Sequence, residues 1–388
     1  PAGLIRRQGR IIHVLLSQPG LSEGATIVMM RGCGRHYAPI LALLRPLLVW
    51  VNAQNPYCGV LREAVNAIKI RLAFIHKSIC LGVFQLAGDR KLDGIHFMLP
   101  TPFYANGDVD LDSFVRLMGA ARSANCTGVV TLGVMGEAHR LTDDERGQII
   151  DAVVANAGDD LTVTVGASAE SGRALASRVK DAQSAGATAV MIAPAKMAKP
   201  NPPATFAYYA AAQEVTSIPL VVQDLPDVTG VHLDPAFIGK LHAELPDAKY
   251  LKLEDPPTPQ KITRVVEATG GSMGIFGGLG GAFLFEELNR GAIGTMTGFA
   301  YPEVLVAIHR YTANGNIEKA RSIFYKWLPL IRYENSAGIG LAIRKEIMKR
   351  RGFINTADIR PPSPPIDDST RAELDDLMNA LDLDVSNL

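Results

Sequence analysis

Four cysteines in 388 residues, with no CxxC or other paired spacing, offer no basis for a disulfide framework or a zinc site. Only Cys126 falls beyond the first 90 residues, and a small buried hydrophobe is its expected role. Net charge is missing too. Lys plus Arg and Asp plus Glu number 39 each, so the charge balance makes no case for a nucleic-acid partner. The eight histidines do not cluster at metal-ligand spacings, and no metal is expected. Uninterrupted apolar runs of membrane-spanning length are also lacking. Segment 37–51 is broken by Pro39, Arg45 and Pro46, and the next apolar run carries His76 and Lys77 in its middle. No membrane partner is expected, and the expected location is cytoplasmic.

The charge that cancels overall is unevenly spread. Residues 1–90 hold eleven Lys/Arg against three Asp/Glu, and the remainder carries the opposite excess. A basic, acid-poor leader suits an organellar transit sequence, but the serine bias of such sequences is absent. No short apolar core followed by a small-residue cleavage site marks a secretory signal either. Residues 1–90 are therefore read as a basic N-terminal extension, poorly ordered or non-native, and stay outside the catalytic argument.

What is present, from about residue 92 onward, is alternation. Apolar strand-like runs occur at 94–103, 128–134, 161–168, 189–195, 218–226, 250–255, 274–281 and 291–298. Segments with 3.6-residue patterning separate them, such as 111–124, 143–156 and 172–185. Thr142-Asp143-Asp144-Glu145 has the form of a capping box, and Pro302 suits a first helical turn. Continuous apolar strands predict a parallel sheet covered by helices, and eight strands close a barrel. The expected fold class is α/β, a (β/α)8 TIM barrel with additional C-terminal helices. Strands and helices of the barrel take up 91–300; 301–388 supply the last barrel helix and a C-terminal helical extension. Past the stiff stretch 361–365, an acidic helix opened by Thr370-x-x-Glu373 presents Leu374, Leu377 and Leu381 for docking.

Lys252 stands out in this frame. It lies in the sixth strand, Tyr250-Leu251-Lys252-Leu253-Glu254-Asp255. A lysine inside a buried strand is costly unless paired, solvated in a cavity, or neutral. A neutral amine is what Schiff-base chemistry requires. Strand alternation puts Lys252 and Glu254 on one face and Leu251 and Leu253 on the other. The polar pair is therefore expected to face the barrel axis.

Four motifs now appear in order. They are Leu99-Pro100-Thr101-Pro102-Phe103 with Asn106-Gly107-Asp108, Gly133-Val134-Met135-Gly136-Glu137 with Leu141-Thr142, Asp224-Leu225-Pro226 with Thr229-Gly230, and Lys252 itself. Together they resemble the dihydrodipicolinate synthase/N-acetylneuraminate lyase family. The resemblance implies a class I aldolase or lyase acting on 2-oxo acids or related carbonyl compounds, often tetrameric or dimeric, with no metal or organic cofactor. It implies that Lys252 is the Schiff-base lysine.

The departures matter as much. The family's tandem hydroxyls, which bind the 2-oxo acid carboxylate, are Val134 and Met135 here. Its relay tyrosine is Gln223, the synthase arginine is Val228, and tyrosines after strand four are replaced by Ala195 and Lys196. Glutamine cannot shuttle protons as a phenol does, so synthesis of tetrahydrodipicolinate is not the expected activity. Glu254 is the first replacement acid/base, with a structural ion pair as its alternative role. Gln223 can orient a carbonyl oxygen or water. Asp224 is a base or a loop anchor, Glu137 a cap or anchor, and His139 and Tyr301 are lesser candidates. Gly277-Gly278-Leu279-Gly280-Gly281 allows close approach of an anionic group. The expected catalytic residues are Lys252, Glu254 and Gln223. The expected substrate contacts are Gly133, Val134, Met135, Asp224, Gly277, Gly278 and Met296. A barrel that only binds a metabolite or a phosphorylated ligand is the alternative.

Overall fold

The computed structural model describes residues 12–14, 27–29 and 92–388, apart from 382 and 387. Ile12–Val14 and Ile27–Met29 pair antiparallel, with Ile12 opposite Met29. The rest of 1–91, and with it the reading of a disordered or non-native extension, lies outside the described residues.

From Gly94 the chain builds eight parallel strands: β1 Gly94–Met98, β2 Gly128–Thr131, β3 Thr162–Gly166, β4 Ala189–Ile192, β5 Leu220–Asp224, β6 Tyr250–Leu253, β7 Gly274–Gly277 and β8 Gly294–Thr297. Each pairs with the next, and β8 returns to β1 with Met296 opposite His96, so the barrel closes. Every strand falls inside its expected run but ends earlier, because each run's last residues turn into the loops of the barrel mouth. Alternation then sorts the side chains. Met98, Val130, Met191, Val221, Tyr250, Phe276 and Met296 fill the interior. Phe97, Val129, Val163, Val190, Val222, Leu251 and Ile275 join the core shared with the helices.

The covering helices are α1 Leu111–Ser123, α2 Asp143–Ala155, α3 Gly172–Ala185, α4 Pro202–Gln213, α5 Pro235–Glu244, α6 Thr258–Thr269, α7 Leu284–Leu288 and α8 Pro302–Ala313. The capping box forms on α2: Glu145 N donates to Thr142 Oγ1 at 3.2 Å and Thr142 N to Glu145 Oε2 at 2.8 Å. Such a cap contributes about 1 kcal/mol. Cys126 is buried, and burial pushes its thiol up to about 12, which leaves it unreactive.

Three helices follow: α9 Ile317–Glu334, α10 Gly340–Arg350 and α11 Asp368–Ala380. The start of α11 differs from expectation. Asp367 is the cap, accepting from Thr370 N at 2.7 Å, while Glu373 accepts from the Tyr333 hydroxyl of α9 at 2.7 Å. Three residues earlier, aspartate simply offers the better cap, which frees Glu373 to tie α11 to α9. Leu374 is fully buried in the core, and Leu377 and Leu381 pack beside it. Among the described residues, no helix is long and apolar enough to cross a membrane.

Candidate active site

The mouth of a parallel barrel gathers the loops that follow each strand's C-terminal end. Lys252 lies one residue from the end of β6, 2% exposed, and faces inward beside Phe276 and Gln223 of the neighbouring strands. Its Nζ sits 3.0 Å from Glu254 Oε2. Below it, Met98 Sδ is 3.9 Å away, on an apolar floor that includes Met191, Phe276 and Met296. An ammonium set over such a floor depends on its one carboxylate.

Glu254 is held on both oxygens. Gln223 Nε2 donates to Oε2 at 2.8 Å, and Leu279 N approaches Oε1 at 3.4 Å. Lys252, Glu254 and Gln223, the three expected catalytic residues, therefore form one buried hydrogen-bonded unit. Glutamine is a donor here and occupies the oxygen that also meets the lysine.

The glycine corner after β7 has a steric cause. A Cβ on Gly278 would fall 2.5 Å from Glu254 Oε1, and one on Gly277 would fall 1.8 Å from Glu287 Oε2. Two carboxylates thus press on opposite sides of a backbone that has no side chains there. Glu287 is fully buried and accepts from Thr258 Oγ1 at 2.6 Å. Burial, followed at some distance by the charges of Glu254 and Glu286, pushes it up to about 7. Leu279, in the same corner, has a φ of 46°, in the left-handed region that favours glycine.

On the other side of the mouth, Gly133 and the turn Val134–Gly136 follow β2. Gly133 packs against Met98 and Met191, Met135 lies half-buried against the interior cluster, and Val134 is half-buried in the turn. Leu132 and Glu137 flank this turn with φ values of 57° and 52°. Backbone held in such conformations by its surroundings clusters at functional sites. Glu137 anchors the turn: it is fully buried, 2.7 Å from Lys345 Nζ of α10, and accepts from Arg360 N at 3.0 Å.

Asp224 is placed elsewhere than expected. It follows Gln223 on β5 and so points to the opposite face, toward α6, where Lys261 Nζ is 2.6 Å away. Burial pushes its carboxyl up to about 6, opposed by Lys261. Tyr301 is buried among Phe299, Trp327 and Arg351, away from Lys252's partners. His139, Lys196 and Val228 are exposed. Lys261, Glu287 and Lys345 had no sequence signal, because each meets a buried partner more than 25 residues away that no spacing rule connects to it.

Four similarities to known proteins bear on this geometry. The profile of the Dihydrodipicolinate synthetase family matches residues 91–381. L-2-keto-3-deoxyarabonate dehydratase of Azospirillum brasilense is 30% identical over 294 residues, covering 74% of this chain and 94% of that protein. The 4-hydroxy-tetrahydrodipicolinate synthase of Thermotoga petrophila is 26% identical over 282 residues, covering 71% and 94%. Among solved structures, a dihydrodipicolinate synthase from Rhodopseudomonas palustris superposes with a TM-score of 0.71 at 33% identity, covering 75% of this chain and 98% of that one. With its closed eight-stranded barrel and this match over nearly all of the described residues, the chain belongs to the dihydrodipicolinate synthetase family of lyases and dehydratases.

Proposed function

We propose that this protein is a Schiff-base lyase that acts on a 2-oxo acid, with Lys252 as the nucleophile. The observation that carries this reading is the buried Lys252–Glu254 contact of 3.0 Å at the barrel mouth. A proton passed from the ammonium to the carboxylate frees the amine to attack the ketone carbon. Water leaves, and a protonated imine remains on Nζ. That cation acts as the electron sink. Glu254, once again ionised, removes a proton from the carbon next to the imine and gives an enamine.

From the enamine, a β-hydroxyl departs as water by taking the proton that Glu254 holds, and hydrolysis releases Lys252. Similarity to a dehydratase supports this carbon–oxygen elimination over the aldol cleavage or condensation that the same enamine permits. So does Gln223, which holds Glu254 through a hydrogen bond and leaves proton transfer to the carboxylate. Val134 and Met135 give the mouth an apolar wall, which favours a substrate different from that of the synthases. Self-association into a dimer or tetramer belongs to the same reading, and sedimentation tests it.

Borohydride trapping with pyruvate and longer 2-oxo acids tests the nucleophile. The expected result is a mass adduct that maps to Lys252 and disappears in Lys252→Ala. In Glu254→Gln the adduct persists while turnover falls by about 10²- to 10⁴-fold. No adduct with any carbonyl compound points instead to a barrel that only binds its ligand.

A further inference from the structure

The two groups that serve Lys252 sit at the ends of adjacent strands, and each is followed by an aspartate. Gln223 precedes Asp224 at the end of β5, and Glu254 precedes Asp255 just after β6. Alternation turns both aspartates away from the mouth, to the face covered by α6. There they meet one cation. Lys261 Nζ lies 2.6 Å from Asp224 Oδ2 and 2.7 Å from Asp255 Oδ2. The strand ends are joined at the same level by Glu254 N donating to the Asp224 carbonyl at 2.9 Å.

Lys261 is poorly placed for its own helix. It is the fourth residue of α6, near the positive end of the helix dipole, where a cation is unfavourable. Asp224 is fully buried, and no cation other than Lys261 lies within ion-pair distance of it among the described residues. Asp255 is more open, with His232 Nδ1 a further 3.5 Å contact. The three charges together hold two strand ends in register at the point where their inward side chains must touch.

We propose that Lys261 is a positioning residue for the reaction at Lys252. By drawing Asp224 and Asp255 onto one ammonium behind the sheet, it fixes the Gln223–Glu254 hydrogen bond in front of it. Glu254 is thereby kept within reach of Nζ and of the carbon whose proton it moves. The inference rests on the lyase reading above. It predicts a defect in proton transfer with little defect in binding, because neither Lys261 nor the aspartates contact Lys252.

Lys261→Met is the first test. Its side chain borders a solvent-open cleft lined by His232, Asp234, Gln260 and Arg264, so the replacement leaves the barrel core packed. Turnover is expressed per Lys252 that borohydride traps, which removes unfolded molecules from the comparison. The expected outcome is a kcat per trapped site lower by on the order of 10²-fold, with KM within about threefold. Lys261→Arg restores most of it. Combined with Gln223→Leu, Lys261→Met lowers kcat no further than Gln223→Leu alone, since both act through Glu254. Asp255→Asn gives the same split in a weaker form and replaces Lys261→Met if that variant does not accumulate as folded protein. A normal kcat per trapped site in Lys261→Met and Asp255→Asn, or losses that multiply with Gln223→Leu, overturns the clamp alone. No adduct on Lys252 in the parent protein overturns the lyase reading, and the clamp's role falls with it.

Discussion

At the scale of single residues, the site is defined by what touches Glu254. Lys252 and Gln223 share its Oε2, and Gly278 leaves the space its side chain occupies. Gly278 has a φ of −156°, so what keeps a side chain out of this position is the contact with Glu254 rather than a left-handed backbone. Gly278→Ala is therefore expected to fold, to displace Glu254, and to lose about 10²-fold in turnover while Lys252 still traps a 2-oxo acid. Circular dichroism and trapping on one preparation check both halves. The alternation of Lys252 and Glu254 against Leu251 and Leu253 was legible in the sequence, because strand periodicity is a local rule. The same rule turned Asp224 away from the pocket as soon as Gln223 faced it.

Among the elements, the strands were readable because they are buried on both faces and so appear as uninterrupted apolar runs. Their ends were less so, since residues such as Gly278 and Leu279 continue the pattern while already shaping the mouth. The layer between β7, α6 and α7 was hidden altogether. There Glu287 accepts from Thr258 across 29 residues, a pairing no spacing rule announces. Its carboxyl is raised from 4.5 to about 7, so the folded state holds this proton more tightly than the unfolded chain. The stability it contributes is fully present below about pH 4.5 and lost as pH rises through about 7. Glu287→Gln keeps an acceptor for Thr258 and does not titrate. Its stability relative to the parent protein is expected to rise across that window, by on the order of 3 kcal/mol. Urea denaturation at pH 4.5, 6 and 8 measures it, and parallel curves for the two proteins refute it.

On the scale of the whole molecule, the C-terminal helices hold the mouth as well as completing the covering layer. Lys345 and Glu137 are both fully buried, and burial lowers the lysine while Glu137 opposes that shift. Removing one member of such a pair leaves a buried charge short of a partner. Lys345→Met is expected to cost about 3 kcal/mol, and Lys345→Met with Glu137→Gln less than the sum of the single changes. Denaturant midpoints for the four proteins of that cycle check it. Arg360 adds a second tie, donating from its backbone to Glu137 and from its guanidinium to Glu145 at 2.8 Å. Lys345 and Glu137 stand 208 residues apart. A ribosome that has already delivered all eight strands has delivered Arg140 but not Lys345, so the turn at the barrel mouth gains its tie to α10 only late in synthesis.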